Sequence, residues 1–196
     1  MPTSAESESI FLTGFMGSGK TTLGKLAAAQ LELIFFDLDE EIELRTQQTL
    51  AEHFVHSEPY FREQEHRILL ELLSETGEQP CLIALGGGTS IHSVNQPLIP
   101  PERIIFLDVP FPVLEQRLAA CTHRPLAHDP RGVKRLHEQR IPLYSQAAIT
   151  LALSAEDDLM RATDKLIVCL RELLWDMAWG IGCGGLCRVR WVGQSF

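Results

Sequence analysis

Gly14-Phe15-Met16-Gly17-Ser18-Gly19-Lys20-Thr21 satisfies G-x-x-x-x-G-K-[ST], a spacing whose chemistry is the holding of a nucleoside triphosphate. The glycines let consecutive backbone N–H groups turn inward around phosphate oxygens. A helix starting directly after the loop offers its positive end to the same charge. Lys20 is then placed to reach the β and γ phosphates and Thr21 to hold Mg²⁺, with Gly17, Ser18, Gly19 and Thr22 completing the nucleotide-binding set. The alternative is a chance Gly-rich turn, which a random chain of this length produces on the order of 1% of the time.

Carboxylates follow at Asp37-Leu38-Asp39. At the end of a strand they would border the same crevice as the Gly loop, since open α/β sheets bind ligands at their carboxyl ends. Asp37 is expected to order the water shell of Mg²⁺, a cation that prefers oxygen ligands. Asp39 falls one step further out, where an acceptor hydroxyl would bind; its alternative role is a helix N-cap before the acidic turn Glu40-Glu41. An ATPase needs only a phosphate cradle, a metal ion and water, whereas a small-molecule kinase also needs positive groups for an acceptor and a cover against hydrolysis. Arg62, at the start of a predicted helix, has Glu65 one turn on to orient it, the alternative being a surface ion pair. Gly86-Gly87-Gly88 permits close backbone approach to a ligand, and Arg124-Pro125-Leu126 lies in a loop able to close over the nucleotide.

These residues need elements to hold them in place. Ile10–Thr13 reads as a buried strand, 21–31 as a helix, and Leu33–Phe36 as a second buried strand, together a βαβ unit around the Gly loop. Short helical pieces over 39–45 and 50–54 precede a break at Pro59 and a longer helix over 62–74. Further strands are predicted at 81–85, 103–109 and 149–153, with helices over 113–120 and 132–147 and a loop over 121–131. Leu159, Thr163, Leu166, Leu170, Leu173 and Met177 line one face of a closing helix whose Asp157 and Asp158 suit its N-terminal end. Five strands alternating with helices imply a three-layer α/β sandwich over one parallel sheet.

The 196 residues suit one domain. The formal net charge of −9 repels nucleic-acid phosphates and excludes that class of partner. No stretch of about 18 residues is apolar enough to span a bilayer, and the start lacks the basic-then-apolar order of a signal peptide, so a cytoplasmic protein without membrane partners is expected. Cys81, Cys121, Cys169, Cys183 and Cys187 are odd in number and scattered, as reduced thiols rather than a disulfide framework. Cys81 sits in an apolar strand as a small buried hydrophobe, and His53 and His56 read as surface residues rather than metal ligands. Residues 1–8 form a flexible leader and 177–196 a Gly- and Cys-containing extension, of which 180–196 show neither helical nor strand period and are expected to be loosely ordered.

GFMGSGKTT (14–22), FFDLD (35–39), FREQE (61–65), LGGGT (85–89), RPL (124–126) and Arg140-x-x-x-Tyr144 together resemble the shikimate kinase family, in this order and over about residues 8–175. The resemblance implies a P-loop NTPase domain of nucleoside-monophosphate-kinase-like type over 9–176, with a lid at about 121–131. It implies that ATP, with Mg²⁺, phosphorylates the 3-hydroxyl of shikimate in the pathway toward chorismate and aromatic amino acids. By the same resemblance Lys20, Asp39 and Arg124 are catalytic, and Asp39, Arg62, Gly86, Gly87, Gly88 and Arg140 bind shikimate. Arg124 is the lid arginine and Arg117 the residue beside adenine, while Thr21 and Asp37 serve the metal; a monomer is expected. Two departures are Ser57-Glu58 where the family shows Gly-Glu, and Ala127 where its lid shows Leu. The rival acceptor is gluconate, against which Arg62, Arg140 and the Gly triplet favour a carboxylate-bearing ring. The rival class is an ATP-dependent binding module or switch, against which all the expected reacting residues are retained.

Overall fold

Apolar runs that do not alternate with polar residues become parallel strands, because helices then cover both faces of the sheet. The computed structural model describes residues 8–119, 130–179 and 189–191. In chain order the elements are β1 (Ile10–Thr13), α1 (Lys20–Leu31), β2 (Ile34–Asp37), α2 (Leu38–Thr46), α3 (Leu50–His56), α4 (Glu58–Thr76) and β3 (Cys81–Ala84). β4 (Ile104–Asp108), α5 (Phe111–Ala119), α6 (Pro130–Tyr144), β5 (Ile149–Ala152), α7 (Leu159–Trp179) and β6 (Val189–Trp191) follow. The sheet runs β2-β3-β1-β4-β5-β6, and every pairing is parallel. Phe11 of β1 lies opposite Ile83 on one side and Ile104 on the other, and the chain fills the β2–β3 half of the sheet first and changes sides between β3 and β4. That switch opens a crevice at the strands' carboxyl ends, where the Gly loop, Asp37 and Gly86–Gly88 all emerge. Ile10, Phe11, Leu12, Leu82, Ile83, Ile105 and Phe106 are buried around it and fix the strand ends against which the loops are held.

Several elements differ from the sequence reading. β2 is an edge strand with one neighbour, and Ile34 at its start is 36% exposed rather than buried. α1 covers its other side so closely that a Cβ on Gly24 would lie 2.4 Å from the Phe35 ring. α4 begins four residues before Arg62. Pro59 is its first turn rather than a break, because a proline there lacks only an N–H that has no helical partner, and Ser57 caps Tyr60 N at 3.2 Å. Arg62 therefore stands in the second turn. Arg45, held within α2 by Glu41 (3.1 Å), joins α2 to α4 through Glu75 (2.7 Å) and Glu71 (3.5 Å).

His53, read as a surface residue, is wholly buried between α2 and α4: its Nε2 meets Thr46 Oγ1 at 2.9 Å and its ring stacks on Tyr60 at 5.7 Å. An imidazole can replace an aliphatic core residue when one nitrogen is bonded and the ring has aromatic neighbours. No group of three or more metal-ligating side chains exists among the described residues. Burial raises the Cys81 thiol and pushes Cys169 up to about 12, so both stay protonated, as buried hydrophobes do. α7 buries Ala162, Thr163, Leu166, Ile167, Leu170 and Leu173, while Leu159 is 52% exposed because it opens the helix before that face turns inward. The expected five parallel strands are all present and a sixth is added. Val189 and Trp191, in the segment without visible period, lie opposite Ile149 and Leu151. Three residues are too few for a period of two to show. No helix among the described residues is long and apolar enough to cross a membrane. Residues 1–7 of the leader, Arg124 with most of the lid, Cys121, Cys183 and Cys187 lie outside the described residues.

Candidate functional site

The Gly loop leaves β1 through backbone that only glycine holds easily. Gly14 has φ +150, and a Cβ there would lie 3.0 Å from the Leu107 carbonyl oxygen; Gly19, at φ +96, is the N-cap of α1. Lys20, the first residue of α1, turns back over the loop and donates to Gly14 O at 2.9 Å and Phe15 O at 3.2 Å. These are carbonyl acceptors that hold the ammonium over the space the N–H groups enclose. From α5, Arg117 donates to Gly17 O at 3.0 Å, across 100 residues of sequence. A cavity of about 440 Å³ opens here, lined by Gly17, Ser18, Gly19, Lys20, Thr21, Thr22, Asp37, Asp39, Gly87 and Arg117. Its far wall is the loop before α7, with Ser154, Asp157 and Asp158. Asp157 is held there by Lys165 at 2.7 Å and by Ser154 N at 2.8 Å.

Asp37 does two things at once. One carboxylate oxygen accepts from Thr21 Oγ1; the other caps α2 by accepting from Asp39 N (3.0 Å) and Glu40 N (3.3 Å). The cap is thus Asp37 and not Asp39, which lies in the first turn of α2. The donors paired at Thr21 and Asp37 are all hard oxygens, which suits Mg²⁺ and leaves room for its waters.

The Gly triplet joins this cavity to a second group of side chains. A Cβ on Gly86 would lie 2.8 Å from Asp39 Oδ1, one on Gly87 3.2 Å from Arg140 Nη1 and 3.8 Å from Gly14 O, and one on Gly88 2.5 Å from Arg62 Nη2. No side chain fits at Gly86 or Gly88 without displacing a charged group. Arg62 Nη1 donates to both carboxylate oxygens of Glu65, at 3.1 and 3.0 Å, and Glu65 is wholly buried, so the pair is no surface ion pair. Thr89 Oγ1 donates to Glu65 at 2.6 Å and Asn95 Nδ2 at 3.5 Å, which gives the buried carboxylate the partners it needs. Asp39, Arg62, Arg140 and the triplet are brought together; Arg124 lies outside the described residues.

The shikimate kinase family model matches residues 16–171. The chain belongs to the shikimate kinase family. It is 37% identical to a shikimate kinase of Nostoc sp. over 169 residues, covering 84% of this chain and 92% of that protein. Its fold matches the shikimate kinase of Acinetobacter baumannii in complex with shikimate, with TM-score 0.70 and 30% identity over 87% of this chain and 94% of that one. A gluconokinase from Sinorhizobium meliloti gives TM-score 0.54 at 15% identity, covering 89% and 97% of the two chains, and so shares the fold alone. As a shikimate kinase relative the chain is a kinase enzyme, and the gluconate alternative keeps only the architecture.

Sequence reasoning missed Asn95 at the kinase site, and the contacts that Thr89 and Tyr144 of the quoted motifs make there. The Glu65–Asn95 contact spans 30 residues and Tyr144–Gly87 spans 57, so local pattern carries no trace of them. It also missed His137, whose ring on α6 packs against Phe15 of the Gly loop at 5.0 Å and Phe111 at 5.1 Å. Burial lowers its pKa from the ordinary 6.5, against the opposing pull of Asp108 and Glu138. A folded state that binds its proton less readily than the unfolded chain is fully stable above 6.5 and loses stability as pH falls below it. Melting temperature is therefore expected to drop between about pH 7.5 and 5.5, and His137→Gln to show a smaller drop over the same range. An unchanged pH slope in the variant would remove His137 as its source.

Proposed function

We propose that this chain transfers the γ-phosphoryl group of ATP to the 3-hydroxyl of shikimate, releasing ADP and shikimate 3-phosphate, in the pathway toward chorismate and aromatic amino acids. The observation that carries this reading is the glycine triplet, whose three positions face Asp39, Arg140 with the Gly loop, and Arg62 in turn. It leaves one side-chain-free wall between a phosphate cradle and two arginines, which fits an acceptor bearing both a hydroxyl and a carboxylate. The loop amides of Gly17, Ser18, Gly19, Lys20 and Thr21 bind the phosphates with Thr22, and Arg117 flanks the base. Lys20 follows the charge that builds on the transferring group, and Arg124 of the lid (about 121–131) covers it. Thr21, with Asp37 acting through water, would hold Mg²⁺, which neutralises phosphate charge when bound. Asp39 orients the 3-hydroxyl and takes its proton, while Arg62, Arg140 and Gly86–Gly88 hold the ring. Glu65 keeps Arg62 aimed, so the acceptor meets a guanidinium already ordered. The catalytic unit is residues 9–176, monomeric and cytoplasmic.

The test is a coupled assay of ADP release with and without shikimate, gluconate being run beside it. Release that depends on shikimate is expected. A response to gluconate alone overturns the acceptor, and shikimate-independent hydrolysis alone overturns the transfer.

Arg140→Ala is expected to weaken shikimate about 10- to 100-fold, since a charge-assisted hydrogen bond contributes roughly 1.5–3 kcal/mol. At Arg62 an alanine would strand the buried Glu65 carboxylate, so Arg62→Lys is the cleaner variant: it keeps the charge and loses the planar guanidinium. Calorimetric titration of each ligand separates the sites. Equal weakening of ATP and shikimate would remove these arginines from the acceptor side.

A further inference from the structure

A triplet of glycines cannot orient itself through side chains, so groups that bond its backbone must do so. Tyr144 ends α6 one turn beyond Arg140, on the same face. It is among the largest fully buried side chains of the protein, and its ring lies against Phe106 at 5.3 Å. Its hydroxyl donates to the carbonyl oxygen of Gly87, and a Cβ on Gly87 would lie 3.7 Å from that hydroxyl and 3.2 Å from Arg140 Nη1, so both side chains stand over the same glycine. A carbonyl oxygen has only lone pairs to offer, so the direction of the bond is fixed: Tyr144 donates to Gly87. Burial raises the phenol's pKa against the pull of Arg140, which keeps it a donor at neutral pH.

The peptide between Gly87 and Gly88 is trans, so its C=O and N–H point in opposite directions across one plane. Holding the oxygen at Tyr144 therefore fixes where the Gly88 N–H points. Gly88 is the position that packs on Arg62, and Gly87 the one that packs on Arg140 and lines the cavity with Lys20 and Asp39.

We propose that Tyr144 is a positioning residue for the acceptor: its hydroxyl fixes the Gly87–Gly88 peptide beside Arg140, so that guanidinium and backbone meet the acceptor's carboxylate and hydroxyls as one preset surface. This rests on the acceptor reading given above. Tyr144 touches no reacting atom and acts through the Gly87–Gly88 peptide. A packing role alone would be served by the ring, which also walls a separate cavity of about 190 Å³ with Thr13, Ser90 and Leu143.

Tyr144→Phe keeps the ring and removes the tie. The KM for shikimate is expected to rise about fivefold while that for ATP stays within about twofold, as fits the loss of one hydrogen bond to a carbonyl. Amide exchange should quicken over residues 86–89 and stay unchanged over the Gly loop. The chain has two tyrosines, so Tyr60→Phe with 3-fluorotyrosine labels Tyr144 alone and reads the wild-type hydroxyl environment by ¹⁹F resonance even if Tyr144→Phe fails to fold. Saturating shikimate is expected to move that resonance. An unchanged KM for shikimate, equal rises for both substrates, or a resonance that shikimate leaves in place each overturn the proposal. A wild-type enzyme with no shikimate-dependent turnover overturns the acceptor reading and the proposal with it, whereas normal wild-type turnover with an indifferent Tyr144→Phe overturns the proposal alone.

Discussion

Lys20→Ala is expected to lower turnover by about 10²-fold or more while leaving a folded protein, because the ammonium offsets charge that builds on the transferring phosphoryl group in a water-excluded site. The geometry separates this loss from a folding defect. Lys20 Nζ donates to two loop carbonyls, Gly14 O and Phe15 O, and Lys20 itself lines the open cavity rather than the core. Each such bond contributes about 1 kcal/mol net, which a domain of this size survives. The shape of the loop does not depend on Lys20 either: Gly14 and Gly19 hold their positive φ by lacking a Cβ, and Arg117 ties Gly17 from α5. Steady-state ADP release beside a thermal melt checks the prediction. A folded variant with near-normal turnover would mean that Lys20 does not act on the phosphates.

The parts of the fold legible in the sequence are those whose determinants are neighbours along the chain. The run Ile10–Thr13 followed by Gly14 and the GKT turn specifies strand, loop and helix from adjacent residues, and the structure places all three as read. The carboxylate pair at 37 and 39 was legible as a pair, but not the division of labour within it. Either Asp can cap a helix, and what gives the cap to Asp37 is the extended backbone at φ −104, ψ 117 with which β2 delivers it. His53 was misread because its neighbours Glu52 and Phe54 suggest an amphipathic surface helix; its burial depends on Tyr60 and Phe61 of the next helix. Pro59 was misread for the opposite reason, since a proline ends one helix or starts the next and only the Ser57 cap decides which. Contacts such as Glu65 with Thr89, or Tyr144 with Gly87, are made by the sheet order β3-β1-β4 bringing separate loops to one crevice. They become visible only once that order is known.

The cap assignment sharpens the expectation for Asp39. Were Asp39 the cap, its replacement would mix a folding effect with a chemical one. Since Asp37 accepts from both Asp39 N and Glu40 N, the Asp39 side chain is spared that duty. Asp39→Asn keeps size and shape and gives up one negative charge in the first turn of α2, which costs about 0.3–1 kcal/mol of favourable interaction with the helix N-terminus. Turnover is expected to fall by about 10² to 10⁴-fold, the range for removing a positioned general base, with ATP affinity nearly unchanged. The carboxylate stands where an effect of this kind is possible, lining the phosphate cavity and facing Gly86 at the start of the triplet. Where in that range the loss falls reports on the transition state. A loose, metaphosphate-like transfer asks little activation of the hydroxyl, so a loss near 10²-fold would mean that Asp39 mainly orients the nucleophile, and a loss near 10⁴-fold that it takes the proton as the bond forms. The pH dependence of the residual activity separates the two, because an orienting Asn leaves the profile's shape intact while loss of a base removes its acid limb. An Asn variant with full turnover would remove the Asp39 carboxylate from the transfer step.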